Sequence, residues 1–344
     1  MVNQVRSRPL FSVVIPTHRR PESLSRVLDA LAAQASPTPP FEVVVVCDGE
    51  SDPAADLIRT RSWPLDLKLV QQPRQGPAAA RNTGIGLARG EYLLFLDDDV
   101  IPVRDFISRH VAAHDGDQMK VVIGPLLPTR ERRPPWITWE FETLRRQYEA
   151  MESGAWQPSW RQFHTGNASV RREHINKVGG FDSSLTRAED IELGWRLFRL
   201  GLEFRFCPDA GGIHIADRGF AAWLSIGYRY GHADVAIAQR QSSPVLLNLQ
   251  AHEFRSRHRQ TRGLVQWGLR NRWSVPMITQ VARGAIRSMS AAGRIHAAHS
   301  VCSALFNLAY WSGVSDAGVG TNGVLIALRG QDWTGPVPQV VEST

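Results

Sequence analysis

The chain predicts an α/β fold, a doubly wound sheet followed by a helical module, on three observations. Short apolar runs alternate with amphipathic segments through the first hundred residues, the pattern of repeated βαβ units. One of these runs, Phe41 to Cys47, is almost all Val, as in a strand covered on both faces of a parallel sheet. The excess positive charge is confined to the last third of the chain, where the patterning turns helical.

In order, Phe11 to Pro16 is the first apolar strand, and Pro21-Glu22 opens an amphipathic helix reaching about Gln34. After the Val-rich strand, a helix over 53–61 leads to a third strand at 65–71. Gly76-Pro77 starts a small-residue helix through Ala88, and Glu91 to Leu96 is the fourth strand. Met119 to Leu127 reads as one further strand, and 137–151 as a helix inside a stretch dense in Trp and Pro. Ala168 to Arg171 is a short strand and Glu173 to Val178 a helical turn ending at Gly179-Gly180. Ala188 to Leu200 is a helix stopped by Gly201, a natural C-terminal cap. Short strands follow at 204–207 and 212–215, and beyond Gly219 the pattern is helical to about residue 310, broken at Ser243-Pro244 and Pro276.

With 344 residues, 43% of them hydrophobic, the chain can bury one large core or two ordinary ones. Cys47, Cys207 and Cys302 are far apart and odd in number, which argues against a disulfide framework or a zinc site and fits a reducing cytoplasm. No signal-peptide core or membrane-spanning apolar run is evident, so the expected location is cytoplasmic, peripheral on the inner face of the membrane at most. From Ala221 onward twelve Arg face five acids, a difference of +7 that equals the net charge of the whole chain. A boundary near 220 follows: a domain over 10–220, a basic helical module over 221–330, and a tail over 331–344.

The chemistry concentrates at strand ends. The apolar run from Tyr92 stops in Asp97-Asp98-Asp99, three adjacent carboxylates that repel one another unless a cation or hydrogen-bonded ligand offsets them. Oxygen ligands of this kind suit Mg²⁺ or Mn²⁺, which can bind a nucleotide diphosphate in turn; the plain alternative is a solvated acidic turn. Pro16-Thr17, Asp48 and Asp97 all fall at strand ends, where ligands of doubly wound sheets bind. Glu189-Asp190 begins a helix, which helix capping alone could explain. His214, between Ile213 and Ile215, reads by its apolar neighbours as a structural imidazole.

These pieces resemble a known family. Ser12-Val-Val-Ile-Pro16-Thr17, Val46-Cys-Asp48-Gly49, Ala80-Arg81-Asn82-Thr-Gly84, Gly90-Glu91-Tyr92 running into Asp97-Asp98-Asp99, Gly179-Gly180-Phe181-Asp182 and Glu189-Asp190-Ile-Glu192-Leu-Gly-Trp-Arg196 are similar to the motifs of family 2 glycosyltransferases of the Rossmann-like GT-A fold, in their order. The resemblance covers about 10–220 and implies an inverting transferase that uses a nucleotide-activated sugar and Mn²⁺ or Mg²⁺. It implies Pro16, Thr17, Asp48 and Arg81 at the nucleotide, Asp97 at its ribose with Asp98 beside it, and Asp99 and His214 at the metal. It implies Asp190 as the base that deprotonates the acceptor hydroxyl, with Glu189 positioning the acceptor. Gly166-Asn167 would line the donor-sugar and acceptor side, and Trp136 and Trp139 could stack on sugar faces or pack in the core.

The expected donor is a UDP-sugar first and a dTDP-sugar second, and the acceptor a hydroxyl on a glycan or a lipid-linked molecule. Processive members carry QxxRW beside membrane helices; here Leu269 stands at the Gln position before Arg272-Trp273, so addition of a single sugar is expected. The rivals are a non-catalytic carbohydrate- or nucleotide-binding module on the same fold and a sugar nucleotidyltransferase. The latter would need a glycine-rich loop where the chain has Pro16-Thr17-His18-Arg19-Arg20. The basic module reads as a solvated helical face or as an amphipathic surface for anionic lipid; no nucleic-acid partner is expected.

Overall fold

The computed structural model describes residues 9–185 and 187–334; most of the expected tail over 331–344 therefore lies outside the described residues. The chain forms two compact units, one of residues to Glu131 with Phe141–Ala216, the other of Arg132–Glu140 with Asp217 onward.

The first unit is an α/β body. Its strands are β1 (Phe11–Thr17), β2 (Phe41–Asp48), β3 (Asp66–Gln72), β4 (Tyr92–Leu96), β5 (Val100–Pro102), β6 (Lys120–Ile123), β7 (Leu126–Pro128), β8 (Asn167–Arg171), β9 (Glu203–Phe206) and β10 (Gly212–His214). Seven make a mixed sheet in the order β3-β2-β1-β4-β8-β6-β9, and β5-β10-β7 make a small second sheet. β1, β2, β3 and β4 run parallel, with Val13 opposite Val43 and Leu94, while β8 is antiparallel to both β4 and β6. Residues 43–47 are wholly buried, as an all-Val strand requires.

Helices α1 (Pro21–Ala32), α2 (Pro53–Thr60), α3 (Pro77–Leu87) and α4 (Phe106–His114) connect the strands. Each of the first three starts with Pro in its first turn, where the missing N–H costs nothing. α3 lies close on the sheet because Gly84 has no side chain: a Cβ there would come within 2.5 Å of Val14. α5 (Pro135–Glu152), α6 (Arg172–Lys177) and α7 (Glu189–Arg199) follow, and Gly201 ends α7 at φ +92°.

The expected single strand over 119–127 is two strands in two sheets. Gly124-Pro125 divides them: Pro125 has no N–H to give a ladder, and a Cβ on Gly124 would sit 2.1 Å from the Ala210 carbonyl.

The second unit is helical: α8 (Phe220–Arg240), α9 (Val245–Arg255), α10 (Arg259–Arg270), α11 (Val275–Ala291), α12 (Ile295–Val314) and α13 (Gly320–Leu328). Helix continues past the expected limit near 310, through α12 and α13. Pro276 does not break a helix but opens α11. α8 and α12 pack backbone to backbone through glycines; a Cβ on Gly231 or Gly313 would lie 2.1 and 2.0 Å from the carbonyls of Tyr310 and Tyr228. Val235, Leu247, Phe254, Val265, Leu308 and Trp311 fill the core, and the buried Tyr310 hydroxyl donates to Asp234 at 2.6 Å. No described helix is long and apolar enough to cross a membrane.

Candidate active site

Because β1, β2 and β4 are parallel, Thr17, Asp48 and Asp97 reach the same edge of the sheet. The Thr17 hydroxyl donates to Asp98 at 2.7 Å, joining the ends of β1 and β4. The Asp98 carboxyl is pushed up to about 6, mainly by burial, against the opposing pull of Thr17 and of Arg20. Arg20 reaches Asp98 at 3.1 Å and Asp99 at 2.7 Å. This arginine, just past β1, escaped the sequence reading because nothing in its local pattern marks it as a counter-ion.

Asp48 anchors a loop. It accepts from the Gln72 side chain at 2.9 Å and from the backbone N–H groups of Gln75 and Gly76 at 2.8 Å each. A carboxylate bonded by three donors is held in one orientation and retains lone pairs for a ligand. Pro16 sits one position before Thr17 in β1, opposite Val46.

Arg81, on α3, is the pivot. Its side chain is only 5% exposed and donates to Asp97 at 2.8 Å and to Glu189 at 2.8 Å. Two carboxylates from opposite halves of the motif set are thus tied to one guanidinium. Burial alone would lower the Arg81 pKa; the carboxylates of Asp97, Glu189 and Asp190 outweigh it and hold the group charged. Glu189 does not cap its helix: the N-cap is Ala188, in the left-handed region at φ +57°, with no side-chain cap. Next to it, Asp190 keeps a little surface open while its carboxyl lies deep among protein atoms. Burial first, then the charge of Glu189, push it up to about 7, while Arg81 pulls the other way.

Asp99 Oδ1 faces His214 Nε2 at 3.7 Å, an arrangement built by backbone pairing, since the Ile215 N–H donates to the Asp99 carbonyl at 2.8 Å. The imidazole edge rests on Phe141. A carboxylate oxygen and an imidazole nitrogen facing one another fit Mn²⁺ or Mg²⁺ by donor chemistry. Among the described residues no three His, Cys, Asp or Glu side chains form a metal cluster, so a cation here would take its remaining ligands from water or phosphate.

Gly166 forms a floor without a side chain: a Cβ there would lie 3.2 Å from Asp97 Oδ2. Its neighbour Asn167 is different. Fully buried, it donates to the carbonyls of Ala210 at 2.7 Å and Pro125 at 3.2 Å, and its carbonyl meets His110 Nε2 at 2.9 Å. With every polar group so engaged, Asn167 braces the loops rather than facing a sugar. Trp136 and Trp139 likewise belong to the helical unit. Trp136 packs on Phe220 and donates to the Arg218 carbonyl at 3.0 Å, and Trp139 packs on Trp223 and Phe306. Their ring surfaces serve packing, the alternative that aromatic-rich sequence always leaves open.

Like Arg20, one histidine was missed by the sequence reading. His164, two residues before Gly166, has its ring nitrogens buried with no hydrogen bond made within the described residues; the Gly124 backbone is near but outside good geometry. Burial lowers it to about 4, with Asp97 raising and His214 lowering it, so it is a neutral imidazole in the electrostatic neighbourhood of both. A lone His before Gly-Asn carries no motif signal.

A parallel sheet edge that gathers an acidic strand tip, a charge-pinned arginine and a buried carboxylate pair is carried by an α/β domain of the GT-A fold. Residues 12–179 match the family described as glycosyl transferase family 2, so that segment is a domain of that family. Validoxylamine A glucosyltransferase of Streptomyces hygroscopicus subsp. jinggangensis is 34% identical over 232 residues, covering 60% of this chain and 55% of that protein. Glycosyltransferase AglE of Haloferax volcanii is 28% identical over 234 residues, 67% of this chain and 74% of its own. The chain spans only about half the length of the first of these. A solved structure of the mannosyltransferase PcManGT from Pyrobaculum calidifontis, in complex with GDP-Man and Mn²⁺, covers 94% of this chain and 87% of its own, with a TM-score of 0.56 at 23% identity. At that identity the likeness establishes the fold.

Proposed function

We propose that this chain is a metal-dependent, inverting glycosyltransferase that moves one sugar from a nucleotide-sugar to a hydroxyl acceptor. The observation that carries the reading is the Arg81 bridge. It ties the acidic strand tip, through Asp97, to the Glu189-Asp190 pair, so the residues for the nucleotide and the residues for the acceptor form one charge-coupled site. A carboxyl that burial and Glu189 raise beside this bridge suits a base that must take a proton at ordinary pH.

In this reading Thr17, Asp48 and Arg81 hold the nucleotide with Pro16 behind them, and Asp97 and Asp98 orient its ribose end. Asp99 and His214 would hold Mn²⁺ or Mg²⁺. When bound, the cation supplies positive charge that stabilises a departing diphosphate. Asp190 takes the proton from the acceptor hydroxyl as that oxygen attacks the anomeric carbon on the face opposite the leaving group, which inverts the centre. Glu189, fixed by Arg81, keeps the acceptor side in register. Gly166 leaves room beside Asp97 for the donor.

The donor is a UDP-sugar, with dTDP-sugars second. The mannosyltransferase that shares the fold was solved in complex with GDP-Man, which makes guanine nucleotides the control to run beside them. The acceptor is a glycan or lipid-linked hydroxyl, met by a cytoplasmic enzyme that works peripherally at the inner face of the membrane. The test is a split measurement on Asp190→Asn, which keeps size and shape but cannot accept the proton. Transfer or slow donor hydrolysis should fall at least a thousandfold, of the order expected for loss of a general base, with UDP affinity within twofold. Turnover near the wild-type rate in that variant would falsify the base assignment.

A further inference from the structure

From Phe254 to Ser315 the chain carries nine arginines and no Asp or Glu. Within that stretch the helical unit exposes Trp273 at 80%, Met277 at 60%, Val281 at 68% and Trp267 at 46%. On α11, Met277 and Val281 are one turn apart, and Trp273 precedes Met277 by the same interval. Ile286, the residue this helix buries, comes nine positions after Met277, half a rotation round the axis at 100° per residue. The apolar stripe therefore points straight away from the unit's own core. Small residues, Gly284 and Ser288, continue it. Arg270 and Arg287 are exposed along the same stretch.

We infer that this face of α11, Trp273, Met277 and Val281 with Arg287, together with the exposed Trp267 and Arg270 that precede it in the chain, is a docking surface for an anionic lipid bilayer. Two facts select that occupant. Aliphatic and indole side chains left in water are costly, and an amphipathic helix recovers that cost by settling into the headgroup boundary. The exposed Arg270 and Arg287 complement a negative surface potential, each worth a severalfold gain in partitioning. A nucleic-acid backbone would use the arginines but leave the Met-Val stripe wet, and an acidic protein groove would be an alternative only for the charges. The stretch itself carries no acid to repel anionic lipid; Asp316 and Asp332, which follow it, are each paired to an arginine, Arg272 and Arg255.

The proposal rests on the peripheral-membrane part of the reading above and is independent of the chemistry at the acidic site. The test is co-sedimentation of the full chain with phosphatidylcholine vesicles, plain or doped with phosphatidylglycerol, and in parallel with a short DNA duplex. UDP binding is measured on the same samples as a check of fold. The wild-type chain should bind doped vesicles far better than plain ones. The combined Trp273→Ser, Met277→Ser and Val281→Ser variant should lose at least a hundredfold of that partitioning. Arg270→Gln and Arg287→Gln should each lose about fivefold, an effect that added salt erases. UDP binding should not change in any of them. Wild type that ignores every vesicle overturns the membrane placement itself. Wild type that binds vesicles equally well after the triple substitution overturns this face while leaving that placement standing. Arginine-dependent binding to the duplex without binding to vesicles overturns the choice of partner.

Discussion

Replacing Arg81 by Met keeps most of the side chain's bulk and removes the charge that joins Asp97 to Glu189. The two bonds, 2.8 Å each, differ in weight. Asp97 is 38% exposed, so water replaces that arm at small cost, under about 1 kcal/mol. Glu189 is 10% exposed and would be left buried with no cation, a loss typically of about 3–5 kcal/mol. Taking about 3 kcal/mol as the sum after relaxation, a domain of this size should melt roughly 6–12 °C lower. A second consequence is independent of stability. Arg81 pulls the Asp190 carboxyl down against burial and against Glu189, so its removal must let that pKa rise above the present value of about 7. The alkaline shift should appear in the acidic limb of the pH–rate profile, because a base works only above its pKa. Scanning calorimetry and donor hydrolysis from pH 5 to 9 read both. A variant that melts with the wild type and keeps its acidic limb would refute the bridge as the organiser of the site. Arg81→Lys should recover part of the stability, since one ammonium cannot serve two carboxylates in fixed fork geometry.

Gly166→Ala puts a methyl 3.2 Å from Asp97 Oδ2, a few tenths of an ångström too close, so donor affinity should drop severalfold with little change in melting temperature; equal affinity by calorimetry would remove Gly166 from the donor side. His110 and His114 are held neutral by burial, lowered to about 4 and about 3. The unfolded chain binds protons at both below pH 6.5, so stability conferred by their neutral forms is complete above that pH and drains away as the pH falls toward 4. Melting temperature against pH should trace that slope, and His114→Asn should flatten it; a slope unchanged in the variant would place the acid sensitivity elsewhere.

Much of this architecture is legible because local pattern and tertiary role agree. An all-Val run is a two-faced buried strand, Gly201 can end a helix at positive φ, and carboxylates at strand tips collect at one edge once the strands run parallel. What was not legible depends on partners distant in the chain. Glu189 looks like a capping acid until Arg81, more than a hundred residues earlier, is seen to hold it. Asn167 has a motif's spacing, yet its amide is consumed by Pro125, Ala210 and His110. Trp136 and Trp139 could equally have been platforms or packing, and only the rings of Phe220, Trp223 and Phe306 decide. The break at Gly124-Pro125 needs the Ala210 carbonyl to explain it. His164 and Arg20 carry no periodic or motif signal, so only geometry brings them to the acidic edge.

The most direct test of the central claim is calorimetric binding of UDP, dTDP, GDP and CMP to the wild-type chain and to Asp99→Ala, each with and without Mn²⁺. The account predicts Mn²⁺-dependent binding of a uracil or thymine diphosphate, with the metal dependence lost in Asp99→Ala. Binding indifferent to Mn²⁺ in both proteins, or none to any diphosphate, would contradict it.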